Sequence, residues 1–116
     1  MIIKNADTVA QSIVDVPGAA GAEIRLLIHQ AEGAPNFYMR QFNVAPGGCT
    51  PRHSHDWEHE VYILSGSGLA VTGSAERDIH VGDCVYVPPN EEHQFRNAAP
   101  GELKFLCLVP ASSRKG

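Results

Sequence analysis

An all-β fold, built as a sandwich or a closed barrel, is predicted for this chain of 116 residues. Glycine and proline are frequent, with 11 and 8 residues respectively, and they separate short apolar runs along the whole chain. This spacing favours short strands joined by turns, and no stretch longer than about ten residues carries a convincing helical period. About eight to ten such strands are typical of sandwiches and small barrels.

The predicted strands are rich in β-forming residues and are ended by turn residues. In order they are 23–30 (EIRLLIHQ), 37–45 (FYMRQFNVA), 60–64 (EVYIL), 69–72 (LAVT), 84–87 (CVYV) and 103–109 (LKFLCLV). The second is predicted to end at a Pro-Gly-Gly turn, and the fifth lies between Gly-Asp and Pro-Pro turns. The last is apolar on both faces except at Lys104, so we expect both of its faces to be covered.

Length and charge restrict the organisation and the partners. The chain is long enough for one core, which predicts a single domain over 1–116. A net charge of -4 opposes a surface for binding nucleic acid. The longest apolar runs are much shorter than a membrane span, and the three cysteines form no C-x-x-C pair. We therefore expect a cytoplasmic protein with reduced thiols that binds neither nucleic acid nor membranes.

A cluster of histidines is the strongest chemical signal. His53, His55 and His59 lie within seven residues of sequence. On a strand, residues two apart point to the same face, so His53 and His55 can face one point, and His59 can begin the partner strand opposite them. His93, after a Pro-Pro turn, is the candidate for a fourth ligand. Together these residues predict a metal site.

Other interpretations of this cluster are open. A lone His-x-His pair is commonly just two polar residues of a surface or core. Residues 55–59 also spell H-x-x-E-H, a zinc-protease pattern with Glu58 as base, but that pattern needs a helix and β-forming residues follow it. A zinc finger with two cysteines and two histidines is excluded because no cysteine pair has the required spacing.

The intervals around the histidines extend into two glycine-framed motifs, and here the sequence resembles the cupin family. Motif 1 covers 47–66 and reads Gly47, five residues, His53, one residue, His55, three residues, His59, six residues, Gly66. Motif 2 covers 82–97 and reads Gly82, five residues, Pro88, one residue, Asn90, two residues, His93, three residues, Asn97. Two positions depart from the family pattern. Asn90 replaces the usual glycine, and His59 replaces the common glutamate ligand. Asparagine tolerates the left-handed backbone that such a turn needs, so the first change is mild.

The resemblance implies a small antiparallel β-barrel or jelly roll, a homodimer, and one divalent transition metal bound inside by His53, His55, His59 and His93. It favours manganese or iron, although imidazole also suits copper, nickel and zinc. Four neutral imidazoles would leave the ion its full positive charge and two open positions. The implied function is an oxidase or dioxygenase acting on a small bidentate oxygen ligand. A metal-dependent sensor without turnover and a metal-assisted isomerase remain alternatives.

Strand alternation, together with the resemblance, which places strand 103–109 beside the metal, indicates the candidate substrate pocket. Counting from an exposed Lys104 places Phe105, Cys107 and Val109 on the inward face, and Phe95 shares the parity of His93. These side chains would form an apolar wall for substrate or simply fill the barrel. By its residues alone Arg40 is either an inward partner for an anion or an outward surface charge, and the resemblance favours the inward direction. Arg40 and Cys107 are the candidates for a catalytic role. Leu106 and Leu108 lie on the opposite face, which supports the expected homodimer.

Overall fold

The computed structural model describes residues 1–113, and these residues confirm the all-β prediction. The strands are β1 (Gln11–Ile13), β2 (Ala20–Ile28), β3 (Phe37–Cys49), β4 (His59–Ser65), β5 (Ser67–Thr72), β6 (Ala75–His80), β7 (Cys84–Val87), β8 (Gln94–Arg96) and β9 (Leu103–Pro110). Three single-turn 3₁₀ helices cover Ala6–Thr8, Gln30–Glu32 and Ala111–Ser113. Within residues 1–113 no helix is long and apolar enough to cross a membrane.

The strands form one antiparallel sheet that curls around its own inward face. Its order is β6-β5-β8-β3-β9-β4-β7, with β2 also paired to β3 and β1 paired to β2. The Phe95 ring on β8 lies 5.0 Å from the Phe105 ring on β9, although β3 lies between those two strands. A flat sheet would hold strands two apart at about twice the 4.8 Å spacing. The contact therefore reflects strong curvature, and the inward side chains form the core and the walls of a cavity.

The predicted end of the second strand is wrong, because β3 continues through the Pro-Gly-Gly segment to Cys49. Gly47 adopts a positive φ of 80°, which lets the strand bend there. The Gly47 N–H donates to the Asn97 carbonyl at 2.7 Å, and the Asn97 N–H donates to the Gly48 carbonyl at 2.9 Å. The strand thus leaves β9 at Val44 and pairs with β8 at Cys49.

Two other strand expectations need correction. Strand β6 (AERDIH) was not predicted, because its only buried side chain is Ile79 and its polar sequence carries little strand signal. The two faces of β9 also differ. Phe105 and Cys107 are buried, whereas Leu106 and Leu108 on the outer face are only half-buried. The outer face is therefore covered only in part within residues 1–113.

Two glycines of motif 1 hold similar backbone conformations in different surroundings. Gly66 has φ 78° and lies against the segment before β9, where an added Cβ would be 2.2 Å from the Glu102 carbonyl oxygen. Gly47 has φ 80°, yet nothing lies within 4 Å of the position a Cβ would take. Gly66 is therefore required by both conformation and space, and Gly47 by conformation alone.

Candidate metal centre

The fold brings together the four histidines of the two motifs. Ring centres of the contacting pairs lie 4.4 to 5.0 Å apart. One ring nitrogen from each of His53, His55 and His93 lies within 4.8 Å of the other two, which marks these three as a set that could hold a metal ion. The His59 Nε2 atom is 2.6 Å from the His55 Nε2 atom, so the fourth ring adjoins this set.

Backbone hydrogen bonds between the motifs position the rings. His53 and His93 form an isolated antiparallel bridge, with N–H to carbonyl distances of 3.2 and 2.9 Å. The Asn90 N–H donates to the His55 carbonyl at 2.7 Å, and Asn90 has φ 70°, which confirms the left-handed turn expected at that position. His59 begins β4 opposite Val87. The expectation of a regular strand through His53 and His55 is wrong, since these two residues lie outside the named strands.

Hydrogen bonds on the outer side of the rings fix the inner nitrogens as acceptors. His55 Nδ1 lies 3.1 Å from the Trp57 carbonyl oxygen, and His93 Nδ1 lies 2.9 Å from the Glu91 carbonyl oxygen. A carbonyl can only accept, so both Nδ1 atoms carry the proton and both Nε2 atoms keep a lone pair. Metal-binding histidines are commonly oriented in this way, through an N–H donated to an outer partner.

His59 is buried and neutral. Burial lowers the pKa of His59 to about 2, and the Arg40 guanidinium and the neighbouring histidines act in the same direction. Its Nδ1 atom lies 3.0 Å from the Cys107 sulfur and 3.5 Å from Arg40 Nη2. The Nε2 atoms of His59 and His55 lie 2.6 Å apart, so either a proton or one bound cation can lie between them. Imidazole nitrogens brought together in this way are a donor set that fits a divalent transition metal.

A cavity of about 230 Å³ opens beside these rings. The predicted pocket residues Arg40, Phe95, Phe105 and Cys107 all line it. Val109 is buried in the core and is not part of this lining. Further lining residues, which were not predicted as part of the pocket, are Val14, Val16, Ile24, Phe42, Thr50, Pro51 and Trp57. The cavity is therefore mostly apolar, with the histidines, Arg40, Thr50 and Cys107 as its polar groups.

Arg40 faces inward, which answers the question that the sequence left open. The side chain is 6% exposed, and its Nη2 atom donates to the Cys107 sulfur at 3.0 Å. The guanidinium carbon lies 5.1 Å from the centre of the Phe42 ring. Burial raises the pKa of the Cys107 thiol, although Arg40 opposes that shift. Cys107 is thus held as a neutral thiol between Arg40 and His59.

Trp57, Asn97 and Thr50, which lie within the two motifs, stabilise the structure around the histidines. Trp57 stacks on His55, with ring centres 4.0 Å apart and planes 6° from parallel. The buried Asn97 amide donates to the Val44 and Gly101 carbonyls, and its oxygen accepts from the Ala99 N–H, so Asn97 fixes the turn before β9. Thr50 was not predicted to matter. Its hydroxyl accepts from the Phe95 N–H at 2.9 Å and fixes β8 beside the cavity.

Comparison with known proteins supports the same fold. The family model described as a cupin domain matches residues 40–109, from within β3 to within β9. A 1-methylthio-D-xylulose 5-phosphate methylsulfurylase of Rhodospirillum rubrum is 40% identical over 77 residues, covering 66% of this chain and 49% of that protein. This chain therefore spans about half the length of that relative.

Solved structures extend the similarity to nearly the whole chain. The polyketide cyclase RemF from Streptomyces resistomycificus matches with a TM-score of 0.91 and 34% identity, covering 96% of this chain and 80% of that chain. A cupin 2 conserved barrel domain protein from Rhodopseudomonas palustris matches with a TM-score of 0.78 and 31% identity, covering 90% of this chain and 72% of that chain. By the family model, the barrel and the two histidine motifs, this chain belongs to the cupin family.

Proposed function

We propose that the protein binds one divalent transition metal through His53, His55, His59 and His93 and acts on a small molecule in the adjoining cavity. The observation that carries this proposal is the orientation of the rings. His55 and His93 direct their Nδ1 protons outward and their Nε2 lone pairs toward a common region. In a core without a metal, nothing requires the Nε2 lone pairs of neighbouring histidines to point toward one region.

The residues around that metal would have different roles. Bound in this set, a divalent ion would supply positive charge for polarising oxygen ligands and, as manganese or iron, a route for electron transfer. His55 and His93 are held by backbone carbonyls, and His59 by Cys107. Phe95 and Phe105 would exclude water from the ligand, and Arg40 would contribute a fixed positive charge.

The proposed reaction class is that of an oxidase or dioxygenase acting on a small ligand with two neighbouring oxygen donors, with manganese or iron as the metal. A second candidate is rearrangement or ring closure without net oxidation. The similarity to the polyketide cyclase RemF favours this candidate, because polyketides carry neighbouring carbonyl groups, and the apolar cavity suits such a carbon skeleton. A third candidate is a metal-dependent sensor that binds the same ligands without turnover.

One experiment separates these candidates. Protein loaded with iron, manganese or zinc is mixed with a panel of 1,3-diketones, catechols and hydroxy acids, while oxygen consumption and substrate loss are recorded together. Oxygen uptake that matches substrate loss supports the oxygenase proposal. Substrate loss without oxygen uptake supports rearrangement, and binding without either supports a sensor. His93→Ala, which removes a proposed ligand, is the matched inactive control, and full activity in that variant would contradict the proposed metal site.

The protein is further proposed to be a homodimer. Leu106 pairs with Tyr62, and Leu108 pairs with Glu60, whose other neighbour is Tyr86. Tyr62 and Tyr86 are 45% and 57% exposed. These side chains form a continuous, partly apolar outer face on β4, β7 and β9. A second copy of this chain would cover that face.

A further inference from the structure

Arg40 carries a buried positive charge that no carboxylate balances. The side chain is 6% exposed, and no carboxylate of residues 1–113 forms an ion pair with it. Its assigned contacts are the Cys107 sulfur, the edge of the His59 ring and the face of Phe42. These are weak partners for a guanidinium, and an unpaired buried charge is costly to maintain. The position therefore calls for an anion that enters from the cavity.

The guanidinium also keeps an unused donor. The Arg40 Nε atom is buried and has no hydrogen-bond partner among residues 1–113, whereas Nη2 is already engaged with Cys107. The backbone on both sides is fixed, since Arg40 pairs with Leu26 of β2 and with Cys107 of β9. Arg40 is thus a rigidly placed donor on the cavity wall. A planar oxygen anion is the group that best matches the fork of a guanidinium.

The residues that line the cavity indicate the size, shape and charge of the ligand. Phe42, Phe95, Phe105 and Trp57 surround a space of about 230 Å³, which is smaller than most drug-sized sites of roughly 300–1,000 Å³. Flat aromatic walls suit a flat apolar body. Arg40 is the only Lys or Arg side chain among the described residues that line the cavity, and one guanidinium suits a single negative charge better than a phosphate dianion.

We propose that the cavity binds a small, flat, mostly apolar monoanion, such as an aromatic carboxylate, whose charged oxygens bind Arg40 beside the histidine cluster. This inference rests on the proposed use of the cavity as a small-molecule site and specifies the charge and shape of its ligand. Arg40 is the residue that determines specificity for the anion. The orientation of the anion toward Arg40 would leave the opposite end of the ligand against the phenylalanine rings.

The test uses benzoate and its neutral counterpart benzamide as probes of the full chain. Trp57 lines the cavity and is the single tryptophan of the chain, so its fluorescence reports binding there. Titrations are carried out on chelator-treated, metal-free protein, which separates the role of Arg40 from that of the metal. We expect benzoate to bind at least about tenfold more tightly than benzamide, as for a hydrogen bond to a charged group.

Variants assign the preference to Arg40. Arg40→Met should remove the preference for benzoate, and Arg40→Lys should retain part of it. Arg96→Met is the matched control, because Arg96 is exposed and pairs with Glu76 on the surface, and it should bind as the wild type does. Equal affinities of the wild type for benzoate and benzamide would overturn the proposal even if Arg40→Met fails to fold. Tighter binding of phenyl phosphate than of benzoate would overturn the monoanion assignment.

The same titrations keep this inference apart from the proposed function. A preference for benzoate that depends on Arg40 in protein that takes up no metal would support the anion site and contradict the metal centre. Stoichiometric metal uptake without any preference for benzoate, in metal-free or zinc-loaded protein, would contradict the anion site alone.

Discussion

Acidification should destabilise the metal-free protein through His59, and the structure gives both the sign and the size of this effect. His59 is 7% exposed, and its burial lowers its pKa in the folded protein to about 2. In the unfolded chain a histidine has a pKa of about 6.5. Between these two values the unfolded state binds one more proton than the folded state. Stability is therefore fully present above about pH 6.5 and is lost as the pH falls.

The expected magnitude follows from this difference in proton binding. One extra proton on the unfolded chain changes the free energy of unfolding by about 1.4 kcal/mol per pH unit. Because the unfolded histidine is only partly protonated near its own pKa, the loss between pH 7 and pH 5 comes to about 2 kcal/mol. This value applies to the metal-free protein, since a bound metal adds its own competition with protons.

The assay is urea unfolding of chelator-treated protein at pH 7, 6 and 5, followed by circular dichroism. His59→Gln removes the titrating ring, so the variant should lose about 2 kcal/mol less than the wild type between pH 7 and pH 5. His80→Gln is the matched control, because His80 is exposed on β6, and it should follow the wild type. Parallel pH profiles for the wild type and His59→Gln would refute the argument that His59 is buried in its neutral form.

Three further predictions test the motifs and the outer face. Gly47→Ala should lower the free energy of unfolding by about 1 kcal/mol, because only its left-handed backbone is unfavourable for alanine. Gly66→Ala should lower it by about 3 kcal/mol or more, because the added Cβ also meets the Glu102 carbonyl oxygen. Chemical denaturation measures both losses, and equal losses would contradict the packing described for Gly66. Elemental analysis should find one transition metal per chain in the wild type and in His80→Ala. His93→Ala should bind the metal at least about tenfold more weakly. Unchanged metal content in His93→Ala at limiting metal would show that His93 is not a ligand. Light scattering should give a mass near twice 12.5 kDa for the wild type. Leu108→Arg should shift the mass toward that of the monomer, because a charge would then lie in the apolar contact. A monomeric wild type at micromolar concentration would exclude the proposed dimer.

The sequence predicts best those parts of the fold whose local residues determine them. Strand 84–87 has the predicted bounds, since turn residues limit it on both sides. The two motifs predict the convergence of the four rings, because Gly82, Pro88 and Asn90 prescribe the turn that carries His93 beside His53. The positive φ of 70° at Asn90 agrees with that interpretation.

Features that depend on distant pairing could not be predicted in this way. The continuation of β3 past Pro46 depends on the hydrogen bonds that Asn97, about fifty residues away, accepts from Gly47 and donates to Gly48. The direction of Arg40 was undetermined, because the Pro-Gly-Gly segment interrupts the alternation that would relate it to His53. Val14 and Ile24, which line the cavity, lie outside both histidine motifs. Ile24 becomes recognisable only through its pairing with Phe42 in the observed register.

The position of β9 has a consequence for how the molecule is made. This strand is the last in the described chain, yet it lies in the interior of the sheet between β3 and β4. Until residues 103–110 leave the ribosome, β3 and β4 each present an open edge, and the proposed metal ligand His59 lacks Cys107 beside it. Pairings so distant in sequence form slowly, and open edges favour association with other chains. We therefore expect the histidine cluster to become competent for metal only after residues 103–110 have been synthesised and paired, with aggregation of nascent chains as a competing process.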